Sequence, residues 1–180
     1  MRVIAGSARG TRLAPVPEGT RPLSDRAREG LFSSLGTAVV DAEVLDLYAG
    51  TGAVGIEALS RGARHATFVD RHPGAVATLR ANLDKTHVAD RGTVVTADVA
   101  GFLTGHTTPK ATLALLDPPY DTPVQQIEQV LALLDRKGLS PAWTVAMTRP
   151  KRSSSSFSGR NIAEVTVGNS LVNLSTRPTR

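Results

Sequence analysis

Short apolar runs and longer amphipathic stretches succeed one another from residue 43 to residue 148. The runs 43–48, 65–70, 93–97, 111–117 and 143–148 are short and largely apolar, which predicts buried strands. Between them the pattern loosens to a helical spacing at 52–61, 73–85, about 99–103 and 123–134. Gly62 closes the first of these helices. Pro73 opens the second, where a missing N–H costs nothing. Strand and helix in strict turn predict a parallel sheet with helices on both faces.

The flanks follow other rhythms. Leu23, Ala27, Leu31 and Leu35 recur every four residues and predict one more helix, capped by Ser24 or Asp25. Arg26, Arg28 and Glu29 lie off that stripe. Upstream, 3–5 and 12–14 flank a Gly/Ser/Arg turn and predict a small hairpin, joined to the helix by a Pro/Gly-rich link at 15–22. Downstream, 162–167 and 171–175 are separated by Gly168, Asn169 and Ser170, a hairpin turn. The stretch 151–159, with four serines in a row, reads as a mobile loop. The fold class is therefore α/β: a mostly parallel, doubly wound sheet ending in an antiparallel hairpin. Residues 1–22 form an N-terminal extension, and 23–180 form the main domain.

Composition narrows the classes. The 180 residues include no cysteine, which excludes disulfides, thiolate metal sites and a cysteine nucleophile. His65, His72, His87 and His106 are scattered without metal-ligand spacing, so no metal site is expected. No run approaches the ~18 apolar residues of a membrane span. The start, MRVIAGSARG, lacks the apolar core of a secretory signal. A cytoplasmic protein is expected. The net charge of +5 is unevenly spread. Residues 1–36 hold six arginines against three acids, and 149–180 hold six basic residues against one acid. The middle holds nine basic residues against twelve acids. Basic ends around an acidic centre point to a polyanion outside and a cationic or sugar-bearing ligand inside.

The chemistry gathers at strand ends, where open α/β sheets bind their ligands. Asp46, Asp70, Asp98 and Asp117 stand at or just past the ends of four consecutive strands. The first strand runs into Tyr48, Ala49, Gly50, Thr51 and Gly52, and Gly55 completes a G-x-G-x-x-G spacing. With Asp70 beyond, this fits an adenosine-containing ligand, NAD or another. Two features favour S-adenosylmethionine. A carboxylate at Asp46 is unwelcome beside a pyrophosphate but suits a sulfonium and an ammonium. The second is Asp117-Pro118-Pro119-Tyr120. An exocyclic amine on a base is a poor nucleophile, because its lone pair is delocalised into the ring. A carboxylate from Asp117 and a carbonyl from Pro118, held rigid by Pro119, can accept its two N–H groups. Tyr120 offers a stacking face, worth ~1–3 kcal/mol.

These motifs resemble those of class I amino-methyltransferases that use S-adenosylmethionine. The stretches RVIAG from Arg2, TRP from Thr20, SDRAREGLF from Ser24 and IEALSRGA from Ile56 narrow the likeness. Together they resemble bacterial small-subunit (16S) ribosomal RNA guanine-N2 methyltransferases of the RsmD type, over roughly residues 1–148. The resemblance implies a Rossmann-like fold. It implies that Asp46 and the loop of Tyr48, Ala49, Gly50, Thr51 and Gly52 hold the methionine part of the donor. Asp70, with Arg71, would bind the ribose, and Asp98, with Val99, the adenine. Asp117, Pro118, Pro119 and Tyr120 would hold the guanine. Arg9, Arg12, Arg21, Ser24, Arg26 and Arg28 would meet RNA, within a 30S particle or an assembly intermediate, and the protein would act as a monomer. The tail departs from the pattern. An acid is expected near the end of the fifth strand, where Met147, Thr148 and Arg149 stand, and Thr166, Val167 and Gly168 replace an Arg-Tyr-Gly. Adenine N6 methylation, an NAD-dependent oxidoreductase and a non-catalytic RNA-binding protein are the competing readings.

Overall fold

The computed structural model describes residues 1–15, 23–105, 111–119, 121–150, 162–167 and 170–177. Of these, 137–142, 149–150, 162–167 and 170–177 are described by backbone alone. The link at 16–22 with Arg21, His106, Tyr120, the serine loop and the turn residues Gly168 and Asn169 lie outside the described residues.

Five strands run parallel: β1 (Glu43–Leu47), β2 (His65–Asp70), β3 (Gly92–Thr96), β4 (Ala111–Leu116) and β5 (Leu139–Pro150). Two more, β6 (Ile162–Val167) and β7 (Ser170–Arg177), form the expected hairpin, and β7 joins β5 antiparallel. The sheet order is β3-β2-β1-β4-β5-β7-β6. The chain thus winds outward from β1 to β3, then returns to the other side of β1 with β4. The switch point lies between β1 and β4, and the crevice beyond their carboxyl ends is where such sheets bind ligands.

Helices cover both faces. On one face α1 (Asp25–Leu35), α2 (Ala53–Ser60) and α3 (Pro73–Lys85) pack on Val44, Phe68, Leu113 and Leu115. On the other, α4 (Val99–Gly105) and α5 (Val124–Leu133) pack on Leu45, Leu47, Leu116 and Met147. Trp143 is core there, as its strand position predicts. Side chains alternate faces along a strand. Parity therefore places Asp46 with Val44, Asp117 with Leu115 and Thr148 with Ala146, all toward the α1–α3 face.

Three expectations change. The N-terminal hairpin shrinks to a single bridge, Arg2 with Arg12. Residues between them turn so tightly that Gly10 and Thr11 bond back to Val3 and Ala8. The extension is also part of the core, because Val3, Ala8 and Leu13 are buried in the α1–α3 cluster. Lastly, β5 begins before residue 143; Leu139 already pairs with Ala111, across a register shift.

The extension explains why every residue of α2 is buried, Glu57 and Ser60 included. Glu57 accepts from the backbone N–H groups of Ile4 (2.7 Å) and Ala5 (3.0 Å). Ser60 Oγ accepts from Ala8 N–H and donates to Ala5. At the far end, Asn82 of α3, fully buried, accepts from Ala14 N–H (2.8 Å) and donates to Ala14 O (3.3 Å). Its amide also donates to Thr51 O (3.0 Å). One side chain thus joins the extension to the glycine loop.

Candidate functional site

The loop after β1 bends sharply. Tyr48, Gly50 and Gly52 have φ of 62°, 55° and 76°. A left-handed tyrosine costs roughly 1–2 kcal/mol, so the surroundings impose this bend. The loop is pinned by the acid of the neighbouring strand. Asp70 Oδ2 accepts from Gly50 N–H (2.8 Å), and its Oδ1 from His72 N–H (2.9 Å). A carboxylate has about four lone-pair sites, so Asp70 keeps capacity for a ligand hydroxyl. Gly50 combines its positive φ with room where a Cβ would stand, the nearest atom being the Tyr48 carbonyl oxygen at 4.0 Å, and that permits close approach to its backbone.

Asp46 sits beneath the loop, 2% exposed, with Oδ2 accepting from Gly55 N–H at 2.9 Å. A Cβ on Gly55 would stand 2.7 Å from that oxygen, so only glycine lets the helix settle on the acid. Asp46, expected to hold the methionine end of the donor, is here a buried brace for the first turn of α2. Burial pushes its carboxyl well above the usual range, the Gly55 N–H opposes this, and Asp117 and Asp70 add to the rise.

The second half of the site follows β4. Asp117 N–H reaches Leu47 O (3.5 Å), and its Oδ1 accepts from the Thr148 hydroxyl. Burial raises the Asp117 carboxyl, and the Thr148 bond opposes it. A cavity of about 10 Å³, room for one water molecule, lies between Asp46, Asp117 and Thr148 and is also lined by Leu31, Val54 and Ala146. Pro118 is buried and Pro119 exposed, so the corner turns outward from the sheet.

Around the rim, Tyr48 packs its ring on the α4–α5 side, and its buried hydroxyl has no hydrogen-bond partner among the described residues. Burial, then the charge of Asp98, raises that phenol, and Arg71 opposes them. Asp98 is exposed and caps α4 through Gly101 N–H (3.0 Å). Val99 is buried behind it, and Arg71 is exposed beside His72. Ala49 and Thr51 are buried in the loop.

The basic residues divide. Arg9, Arg12 and Arg26 are exposed, and Ser24 caps α1 by accepting from Ala27 N–H (3.2 Å). Arg28 corrects its expectation, because it is fully buried and closed to phosphate. Its guanidinium donates to Arg2 O and Asp25 (3.0 Å) and faces Glu57 at 3.8 Å, which ties α1 to the extension and α2. The stripe of leucines shows one buried face of α1; the extension buries a second.

This geometry discriminates between ligands. A pyrophosphate seeks free N–H groups at the first βα turn. Here Gly50 and Gly55 already donate to Asp70 and Asp46. The lining is acidic, which suits a cationic adenosine ligand, and the open face at Gly50 and the orphaned Tyr48 hydroxyl leave room and a donor for one. Among the described residues no cluster of acids and histidines is fit to hold a metal.

Comparison with known proteins agrees. A family model described as conserved hypothetical protein 95 matches residues 1–172. Ribosomal RNA small subunit methyltransferase D of Escherichia coli (strain K12) is 39% identical over 140 residues, 77% of this chain and 68% of that one. A putative rRNA methyltransferase, YlbH, of Bacillus subtilis (strain 168) is 38% identical over 140 residues, 75% of this chain and 74% of its own. Among solved structures, a putative methyltransferase, yhhF, from Escherichia coli superposes with a TM-score of 0.84 at 32% identity, over 100% of this chain and 99% of that one.

Proposed function

The chain belongs to the family described as conserved hypothetical protein 95, together with the small-subunit ribosomal RNA methyltransferases D, and we propose that it transfers a methyl group from S-adenosylmethionine to the exocyclic N2 of a guanine in small-subunit ribosomal RNA. The observation that carries this reading is the meeting of two loops at one switch point. The pinned glycine loop ends β1, and Asp117-Pro118-Pro119 ends the adjacent β4.

S-adenosylmethionine, when bound, supplies an electrophilic methyl group on a positively charged sulfur. The residues around it have separate tasks. The open backbone at Gly50 admits the donor, while Asp70 and Asp98 offer acceptors to its ribose and adenine. Asp117 and the Pro118 carbonyl accept the two N–H groups of the guanine amine and turn its lone pair along the line of transfer. Tyr120, next in sequence, offers its ring to the base. The nitrogen–carbon bond forms as the carbon–sulfur bond breaks, and the amine then gives one proton to the Asp117 carboxylate or to solvent. Alignment of this kind contributes up to roughly 7–11 kcal/mol of barrier reduction. Arg9, Arg12 and Arg26 would grip phosphate, which positions the RNA without reading its sequence. The substrate would be found in the cytoplasm, in a 30S particle or its precursor, with the enzyme as a monomer.

Two measurements test the reading. Calorimetry should show binding of S-adenosylmethionine and none of NAD; the reverse result refutes it. Asp117→Ala should keep donor affinity and lose about 10²–10³-fold in kcat on unmethylated small subunits, the scale seen when one preorganised polar group is removed. Mapping the methylated base then separates guanine N2 from adenine N6.

A further inference from the structure

Thr148 carries a buried hydroxyl near the end of β5, on the strand next to β4. The register runs Leu115 with Ala146 and Leu116 with Met147, so Asp117 and Thr148 occupy the next rung. Both face the α1–α3 side by parity with Leu115 and Ala146. The Thr148 hydroxyl donates to Asp117 Oδ1, the one side-chain hydrogen bond that this carboxylate makes among the described residues. Threonine is stiff at χ1, and its strand is paired on both sides, by β4 and β7. The donor therefore stands in a fixed direction.

We infer that Thr148 is a positioning residue, whose hydroxyl commits Oδ1 of Asp117 to the protein and leaves Oδ2 to accept from the substrate amine. This rests on the methyl-transfer reading above. A carboxylate on a single side-chain bond to a flexible partner would swing between rotamers, and an amine must be met at one angle. The hydroxyl also favours the ionised form of Asp117, against the burial that disfavours it. No cation helps among the described groups that face it. Asp46, from β1, is the titratable group lining the shared cavity, and α1 and α2 present Leu31 and Val54 there. Threonine supplies a donor at a strand end where the family resemblance leads one to expect an acid.

The test compares Thr148→Val, which keeps the shape and loses the donor, with Thr148→Ser, which keeps the donor. Thr148→Val should lower kcat on unmethylated small subunits roughly 10–100-fold, the range for a hydrogen bond to a charged group, with the affinity for S-adenosylmethionine unchanged. The acid limb of its kcat–pH profile should move to higher pH, because the carboxylate loses the bond that held its proton off. Thr148→Ser should recover to within about threefold of the parent. Thr148→Ala, free of the β-branch, carries the same expectation as Thr148→Val should the latter fold poorly. A Thr148→Val or Thr148→Ala enzyme with parental kcat and pH profile overturns the inference, and so does a serine variant as slow as the valine one. If Asp117→Ala is inactive while Thr148→Val is unchanged, only the role of Thr148 falls. If Asp117→Ala is fully active, the reading of the site falls with it.

Discussion

Asp46 bears two burdens at the scale of a single residue. It braces Gly55, and it places a carboxyl where charge is unwelcome. A raised acid pKa means that the fold prefers the protonated form. The contribution of Asp46 to stability is then full below the unfolded-state value, near 3.9, and declines as pH rises through the folded value. Asp46→Asn keeps an oxygen for Gly55 and removes the charge. Denaturation at about pH 4 and about pH 8 should show the variant gaining on the parent at the higher pH. A gain of equal size at both would refute this account. The position of Asp46 was legible in the sequence, since it is the acid inside an apolar strand. Its burial was not, because G-x-G-x-x-G spacing reports backbone freedom and is silent on which oxygen the loop bonds. Thr148 left a fainter signal. It stands on the same parity as the strand-end acid Asp117, but parity speaks only once β4 and β5 are known to be neighbours.

At the scale of elements, the parallel strands were easiest to read. A strand buried on both faces is an apolar run, and β1, β2 and β4 were read to within a residue of their observed ends. The start of β5 was hidden by Pro141, which reads as a strand breaker because it lacks a ladder donor. The N-terminal bridge was harder still. Its order comes from Glu57 and Ser60, more than fifty residues away, and no local pattern carries that contact. Glu57 was the available hint: a lone acid in the apolar run AVGIEALS must have partners if its helix is buried. Glu57→Ala should therefore destabilise the fold by roughly 3–5 kcal/mol, because it orphans two backbone donors and takes from the buried Arg28 one of its two acidic neighbours. Urea denaturation measures this. A loss below about 1 kcal/mol, the scale of an exposed ion pair, would mean that the extension holds without Glu57.

At the scale of the whole molecule, basic residues collect in the terminal segments and acids at the strand ends. Composition showed that division before any fold was known. It misjudged one arginine, since charge counted along a chain cannot tell Arg28, which is interior, from Arg26, which is not. The division puts the proposed RNA grip on a segment that, at Ala14, leans on the same amide that holds the glycine loop at Thr51. Any coupling that this shared support carries is a single reciprocal factor. Whatever factor bound donor adds to RNA affinity, bound RNA must return to donor affinity. Asn82→Ala should bring this factor closer to one, read as the donor Kd with and without small subunits. If the two Kd values differ in the variant as much as in the parent, the amide holds the pieces together but carries no message between them.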